Sequence, residues 1–179
     1  MADAEYEFNE IDAIDAESFG EPGKRTFRVR VRRDTEAASL WVEKQQLAAL
    51  GEAIPRLLEE LKTPDQHASE AVGTIGYFPD EPGIEFKVGR LALGYSTDED
   101  RLVLMVHAVP EVNEDEEEAD ETSTPTFMCR FTRQQARQLS DACAKAVEGG
   151  RPLCVVCHRP IDPQGHFCPR SNGHQKLQQ

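Results

Sequence analysis

The chain has 179 residues, enough for one good-sized hydrophobic core or two small ones. It carries 20 basic and 33 acidic residues, and the net charge of −13 opposes non-specific attraction to nucleic acid and to anionic lipid. No apolar run approaches the roughly 20 residues that span a bilayer, and the acidic N-terminus lacks the basic start of a signal peptide. We therefore expect a cytoplasmic protein without a membrane partner.

The first patterned segments alternate polar and apolar residues, as half-buried strands do. Residues 5–8 alternate aromatic residues with glutamates, and residues 24–33 place arginines on one face and apolar residues on the other. We define the arginine stripe as Arg28, Arg30 and Arg32. We expect the two strands to pair, with a glycine-containing turn at residues 20–23 between them, which would set Glu5 and Glu7 opposite the arginine stripe.

A short strand and a helix complete the first half. Residues 39–42, SLWV, predict the strand. Residues 44–61 place leucine and isoleucine side chains three or four positions apart, which is typical of one apolar helix face. Pro55 lies inside this helix, where we expect a kink or a break. The prolines and glycines that follow, in residues 63–82, indicate a linker.

The second half has the same plan. Residues 83–95 predict a strand whose inward-facing positions change at Gly89, as a β-bulge would cause. Residues 101–109 have apolar side chains at both alternating sets of positions, which is typical of a central strand. Residues 126–131 predict a third strand, and residues 132–150 predict a helix that begins at an N-cap threonine.

The two strand-to-helix junctions align without a gap, with residues 40–54 over residues 129–143. Gln46 then meets Gln135. The repeated order of elements predicts an α+β fold with an internal duplication, in which a three-stranded antiparallel meander and a helix occur twice. The predicted divisions are a first half at 1–62, a linker at 63–82, a second half at 83–149 with an acidic loop at 110–125, and a zinc-binding tail at 150–179.

The C-terminal segment LCVVCHRPIDPQGHFCPRSNGH, residues 153–174, contains three of the five cysteines and three of the five histidines. Thiols stay reduced in the cytosol, so clustered cysteines indicate a metal rather than disulfides. A Cys-x-x-Cys pair and a later His-x-Cys pair supply the four donors of a closed tetrahedral zinc shell. The predicted ligands of one structural Zn²⁺ are Cys154, Cys157, His166 and Cys168.

Other interpretations of this segment stay open. His158 and His174 are alternative nitrogen ligands, a catalytic zinc would keep an open position for water, and a metal-free turn would carry its cysteines incidentally. Iron–sulfur binding fits less well, because the set has a histidine and only three cysteines. Cys129 and Cys143 fall on apolar faces of a strand and a helix, so we expect both to be small core residues.

The pattern C-x-x-C-x-R-P-I-D-P-x-G-H-x-C-P-R-x-N-G, together with the earlier GEPGKRTF and EKQQLAAL, resembles a family of conserved bacterial proteins classed as a domain of unknown function. The resemblance spans nearly the whole chain and implies the same four metal ligands. Members of that family are cytosolic and tend to be encoded beside a histidine-phosphatase-like and a lipid-kinase-like protein. The resemblance implies no particular activity.

Residues 150–179 carry four basic residues and one aspartate, a net charge of +3 in a protein of net charge −13. This separation favours docking of a basic tail onto an acidic protein partner or a phosphate. We therefore predict a non-catalytic binding or adaptor protein whose partner contacts Arg159, Arg170 and Asn172. Alternatively, these arginines only compensate the charge of the zinc thiolates.

Nucleic-acid binding and catalysis are the alternative functions. The duplicated meander and helix look like the architecture of single-stranded nucleic-acid binders of the PC4, Whirly and PUR type, and the arginine stripe would follow a phosphate backbone. The interleaved aromatic residue, Phe27, faces the opposite side, so no stacking platform is predicted. An enzyme acting on a phosphorylated small molecule is less favoured, because the chain has no phosphate-binding glycine loop and no nucleophile elbow, and His67 and His107 have no evident partner.

Overall fold

The computed structural model describes residues 4–21, 23–70, 76–110, 124–148 and 156. These residues form a mixed α+β fold with a seven-stranded sheet and two helices, as predicted. None of the helices in these ranges is long and apolar enough to cross a membrane. In chain order the elements are β1 (Tyr6–Phe8), β2 (Ala13–Phe19), β3 (Thr26–Arg33), β4 (Glu36–Val42), α1 (Lys44–Glu60), β5 (Ile84–Ser96), β6 (Arg101–Ala108), β7 (Phe127–Phe131) and α2 (Arg133–Glu148).

Two antiparallel meanders, β2-β3-β4 and β5-β6-β7, make up most of the sheet. They are joined by parallel pairing of β4 with β5, and β1 extends the sheet by pairing in parallel with β7. Each meander leads into one of the helices. The β-β-β-α unit therefore occurs twice, as the aligned junctions predicted, and its strands share one sheet. The boundaries of the four predicted segments remain predictions.

The sheet is strongly curved, because β1 and β2 lie at its opposite ends and yet only residues 9–12 separate them in the chain. In a flat sheet, six strand spacings of about 4.8 Å would hold these edges roughly 29 Å apart. A connection of five Cα steps spans at most roughly 18 Å. The two edges must therefore approach each other, and they meet beside the start of α2.

One hydrophobic core fills the space between the curved sheet and the two helices. Val29 on β3, Leu104 on β6 and Phe127 on β7 are fully buried, as the alternation of each strand requires. The helices cross closely, since a Cβ atom on Gly51 would lie 2.9 Å from the Cβ atom of Cys143. A side chain at Gly51 would therefore hold the two helices apart.

Equivalent glutamines cap both helices in the same way. Gln46 accepts a hydrogen bond from the backbone N–H three residues upstream and donates one to the carbonyl of Gly89 at 3.0 Å. Gln135 accepts the corresponding backbone hydrogen bond and donates to the carbonyl of Ile11 at 2.8 Å. These matching contacts support the predicted internal repeat. They tie the start of α1 to β5 and the start of α2 to the connection between β1 and β2.

The predicted partner of β3 is wrong. Residues 6–8 pair with β7, and the strand opposite β3 is β2, which was not predicted. Because β2 contains alanine and aspartate at positions where strands favour β-branched residues, its propensity signal is weak. The carboxylates that face Arg28 and Arg30 therefore come from β2, and Asp12, just before β2, faces Arg32. Glu7 instead contacts Arg130 on β7.

Most of the remaining elements agree with the sequence. The register of β5 against β6 shifts between Val88 and Arg90, which confirms the predicted bulge at Gly89. Pro55 does not break α1, because the helix continues through this residue to Glu60. The linker at 63–82 contains no helix or strand in its described residues.

Candidate functional site

The arginine stripe lies on the outer face of β3, opposite the core, and its members are paired with acidic side chains. Arg28 donates to Glu17 at 2.6 Å and Arg30 to Asp15 at 2.7 Å, both across the β2–β3 ladder. These distances are typical of well-formed charge-assisted hydrogen bonds. The stripe therefore presents much less net positive charge than the sequence suggests.

Aromatic rings flank the stripe on the same outer face. The Arg28 guanidinium lies 4.6 Å from the ring centre of Phe19 and 5.4 Å from that of Trp41, and Arg30 lies 4.3 Å from Phe78. These rings were not predicted to flank the arginines, because Phe19 belongs to the unpredicted β2 and Phe78 to the linker. Each ring already stacks on an arginine of the same chain, so only part of its surface is free to contact a ligand.

A second group of charged residues lines a cleft of about 1130 Å³ at the place where the two sheet edges meet. The cleft is bounded by the β1–β2 connection, the β3–β4 turn, the start of β6, the linker and the N-terminus of α2. We call it the polar cleft. The charged residues that line the polar cleft include Glu10, Asp12, Arg32, His67, Glu70, Glu99 and Arg101.

The cations of the polar cleft lie deeper than its carboxylates. The side chains of Arg101, His67 and Arg32 are 13%, 18% and 24% exposed. Those of Glu10, Glu99, Glu70 and Asp12 are 80%, 52%, 50% and 48% exposed. The inner wall is therefore cationic and the rim is acidic, although the acidic residues are more numerous.

His67 is held in its charged form by its two neighbours. Its Nδ1 atom lies 2.6 Å from a carboxylate oxygen of Glu70, and its Nε2 atom lies 2.9 Å from the backbone carbonyl of Glu99. A carbonyl and an ionised carboxylate only accept hydrogen bonds, so both ring nitrogens must donate. These contacts raise the pKa of His67, with the hydrogen bond to the Glu99 carbonyl as the largest cause. The expectation that His67 lacks a partner was wrong.

A buried ion pair lies beneath this cleft. Asp100 is fully buried in the β5–β6 turn, where it accepts hydrogen bonds from Arg133 Nε at 2.9 Å, from the backbone N–H of Gln66 at 2.6 Å and from the Tyr95 hydroxyl. Burial opposes ionisation of Asp100, but these hydrogen bonds and the Arg133 charge outweigh it and lower the pKa. Arg133 also donates to Thr63, so the pair anchors the linker to both β5–β6 and α2.

The two cysteines of the described residues are core residues, as predicted. Cys129 and Cys143 are fully buried, and burial raises the pKa of each thiol, that of Cys143 to about 12. Neither supplies a thiolate near neutral pH. His107 lies on β6 within 3.1 Å of Arg90, and its pKa is lowered by burial and then by the Arg90 charge.

The predicted zinc ligands Cys154, Cys157, His166 and Cys168 lie outside the described residues. The same holds for the tail residues predicted to contact a partner, Arg159, Arg170 and Asn172. Within the part of the chain that the structure describes, no group of three or more histidine, cysteine, aspartate or glutamate side chains is placed to hold a metal ion. The zinc site therefore remains a prediction from the sequence.

A family model described as "Protein of unknown function (DUF3090)" matches residues 6–168. The chain belongs to this family. No curated protein and no solved structure matches the chain. The matched region begins at β1 and ends at Cys168, so it includes both β-β-β-α units and all four predicted zinc ligands. The tail motif and the curved sheet therefore belong to one family unit.

Proposed function

We propose that the protein is a zinc-binding, non-catalytic cytosolic protein that uses its C-terminal tail to bind a partner protein. The observation that carries this proposal is the distribution of soft ligands. Cys154, Cys157, His166 and Cys168 fall within 15 residues, whereas the other two cysteines are core residues of β7 and α2. The chain thus uses its cysteines either to fill the core or to supply the donor set of a closed zinc site.

The chemistry of these donors fits structural zinc. Three thiolates and one neutral imidazole supply four ligands and leave a net charge of −1 around Zn²⁺. Arg159 and Arg170 are close to the ligands in sequence, where they offset that charge. Zinc supplies folding free energy in sites of this kind, because the short segment around it cannot build a core of its own.

The charge distribution supports a protein partner with an acidic surface. Residues 150–179 have a net charge of +3, whereas Arg28 and Arg30 on the body are neutralised by Glu17 and Asp15. The basic tail is therefore better suited than β3 to electrostatic docking. The buried thiols of Cys129 and Cys143 also fit a body that positions the tail rather than one that performs nucleophilic chemistry.

We expect reversal of the tail charge to abolish partner binding without loss of zinc. A photo-crosslinking amino acid at Asn172 would report the partner in the native host by mass spectrometry. We expect the crosslinked product to disappear when Arg159→Glu and Arg170→Glu are combined. The matched control combines Arg56→Glu with Lys62→Glu, which changes the net charge equally at two exposed positions of the body. Equal loss of the crosslinked product in both variants, or its persistence in the tail variant, would contradict the proposal.

A second candidate function, binding of single-stranded nucleic acid, is favoured by the aromatic rings beside the arginine stripe. The acidic partners of these arginines oppose it, so we expect no measurable binding of oligothymidine at about 0.15 M salt. Fluorescence anisotropy across a salt series measures this directly. Salt-sensitive binding that both Arg28→Glu and Trp41→Ala abolish, and that Arg56→Glu leaves intact, would replace the adaptor proposal with nucleic-acid binding.

A further inference from the structure

We propose that the polar cleft binds an oxyanion group, a phosphate or a carboxylate, carried by a small molecule, and that Arg32 and Arg101 are the groups that bind it. The described residues that line this site belong to the curved sheet, its connections and α2, and the tail on which the proposed function rests contributes none of them. The cleft has about 1130 Å³, so it has room for a small molecule. Three features of its charged residues support the assignment.

The first feature is that, among the described residues, these two guanidinium groups have only long contacts with acidic side chains. Arg101 lies 3.4 Å from Glu10 and 3.8 Å from Glu70, and Arg32 lies 3.4 Å from Asp12. Charge-assisted hydrogen bonds of arginine are about 2.7–2.9 Å long. The Arg28 and Arg30 contacts on β2 meet this standard at 2.6 and 2.7 Å, so Arg32 and Arg101 are paired more loosely than the neighbouring arginines of the same sheet.

The second feature is an unsatisfied donor. The Nε atom of Arg32 is buried and has no hydrogen-bond partner among the described residues. Such a donor costs free energy unless a partner reaches it. The Asp12 carboxylate is held mainly by the backbone N–H of Asp34 at 2.6 Å, and its contact with Arg32 is longer at 3.4 Å. A ligand that accepts from two donors at once, as phosphate and carboxylate groups do, would compete with that longer contact. The Nε atom of Arg30 also makes no well-aligned hydrogen bond, but a Glu17 carboxylate oxygen lies 3.1 Å from it, whereas the described residues place no carboxylate at that distance from the Nε atom of Arg32.

The third feature is the arrangement of charge by depth. Glu10 is 80% exposed, so its side chain can turn into solvent at little cost and give up its contact with Arg101. His67 lies on the inner wall, where the Glu70 carboxylate and the Glu99 carbonyl favour its charged form. An incoming oxyanion would thus replace the rim carboxylates at the guanidinium groups while the inner cations keep their places.

The test is a titration of the full, zinc-loaded chain by ¹⁵N–¹H NMR at constant ionic strength, with inorganic phosphate in one series and acetate in the other. We expect the shifts to concentrate on backbone amides of Asp12, His67 and Arg101. The series with the larger effect identifies the oxyanion as phosphate or carboxylate. Shifts confined to residues 150–179 would assign the anion to the tail and overturn the cleft proposal without affecting the zinc proposal.

Two substitutions with opposite expected effects on anion binding distinguish a loss of binding from a loss of folding. Arg101→Gln removes a charged donor of the cleft, and we expect binding at least about tenfold weaker. Glu10→Gln removes an exposed competitor, and we expect binding several-fold tighter in a chain of unchanged stability. Arg56→Gln on exposed α1 is the control and should bind as the wild type does. Absence of cleft shifts, or a Glu10→Gln variant that binds no tighter than wild type, would overturn the proposal.

Discussion

Replacement of Asp100 by asparagine is expected to lower the free energy of unfolding by about 3–5 kcal/mol, because it leaves Arg133 charged and unpaired in the interior. The substitution keeps the shape of the side chain and tolerates the positive φ of 51° at this position. It also turns an acceptor into a donor opposite the backbone N–H of Gln66, or else opposite Arg133 and Tyr95. Urea unfolding at neutral pH measures the loss. Asp98→Asn, in the same turn but exposed, is the control and should change stability by less than about 0.5 kcal/mol.

The pH dependence separates this electrostatic cause from a packing defect. The pKa of Asp100 is lowered in the folded state, so its ionised form stabilises the fold above the ordinary value of 3.8. That contribution is lost as the pH falls through the lowered value. The difference between wild type and Asp100→Asn should therefore be constant from about pH 5 to about pH 7 and should shrink below about pH 4. A difference that stays constant into the acid range would contradict the ion-pair explanation.

Replacement of His166 by alanine is expected to weaken zinc binding by about 100-fold or more. Structural zinc sites contribute roughly 10–16 kcal/mol, so one ligand of four accounts for about 2.5–4 kcal/mol if the ligands share it evenly. A competition titration with a chromophoric chelator measures the change. His158→Ala and His174→Ala are matched controls that remove the two alternative nitrogen ligands, and we expect both to bind zinc as wild type does.

The same titration identifies the fourth ligand whatever the outcome for His166. Loss of affinity in His174→Ala with normal affinity in His166→Ala would show that the loop closes later in the chain than proposed. Normal affinity in all three variants would mean that no histidine completes the shell. We expect the curved sheet to keep its unfolding transition in every variant, because its strands are formed by residues 6–131 and the three histidines follow α2 in the sequence.

Local patterns in the sequence predicted most of the fold. The alternation in β3, the doubly apolar β6 and the leucine spacing of α1 each depend on neighbours in the chain, and each appears where expected. The aligned glutamines Gln46 and Gln135 indicated the repeat before their matching contacts were known. Patterns of this kind report burial, which sequence periodicity records directly.

Long-range pairing was not predictable in the same way. The partner of β1 is β7, about 120 residues away, and nothing in residues 6–8 distinguishes it from β3 as a partner. The polar cleft also combines residues from five separated segments, so its cations share no spacing. His67 is an example, because Glu99 meets it only after the linker folds back on the β5–β6 turn. Sequence periodicity does not encode such contacts, which follow from the closure of the sheet.

The metal content of the intact protein tests the central claim most directly. We would purify the full chain from its native host under reducing conditions and record native mass spectra of wild type, Cys168→Ser and Cys143→Ala. We predict one zinc ion in the wild type and in Cys143→Ala, whose thiol is buried in the core, and none in Cys168→Ser. A metal-free wild-type chain of normal stability, or a Cys168→Ser variant that keeps its zinc, would contradict the proposed site.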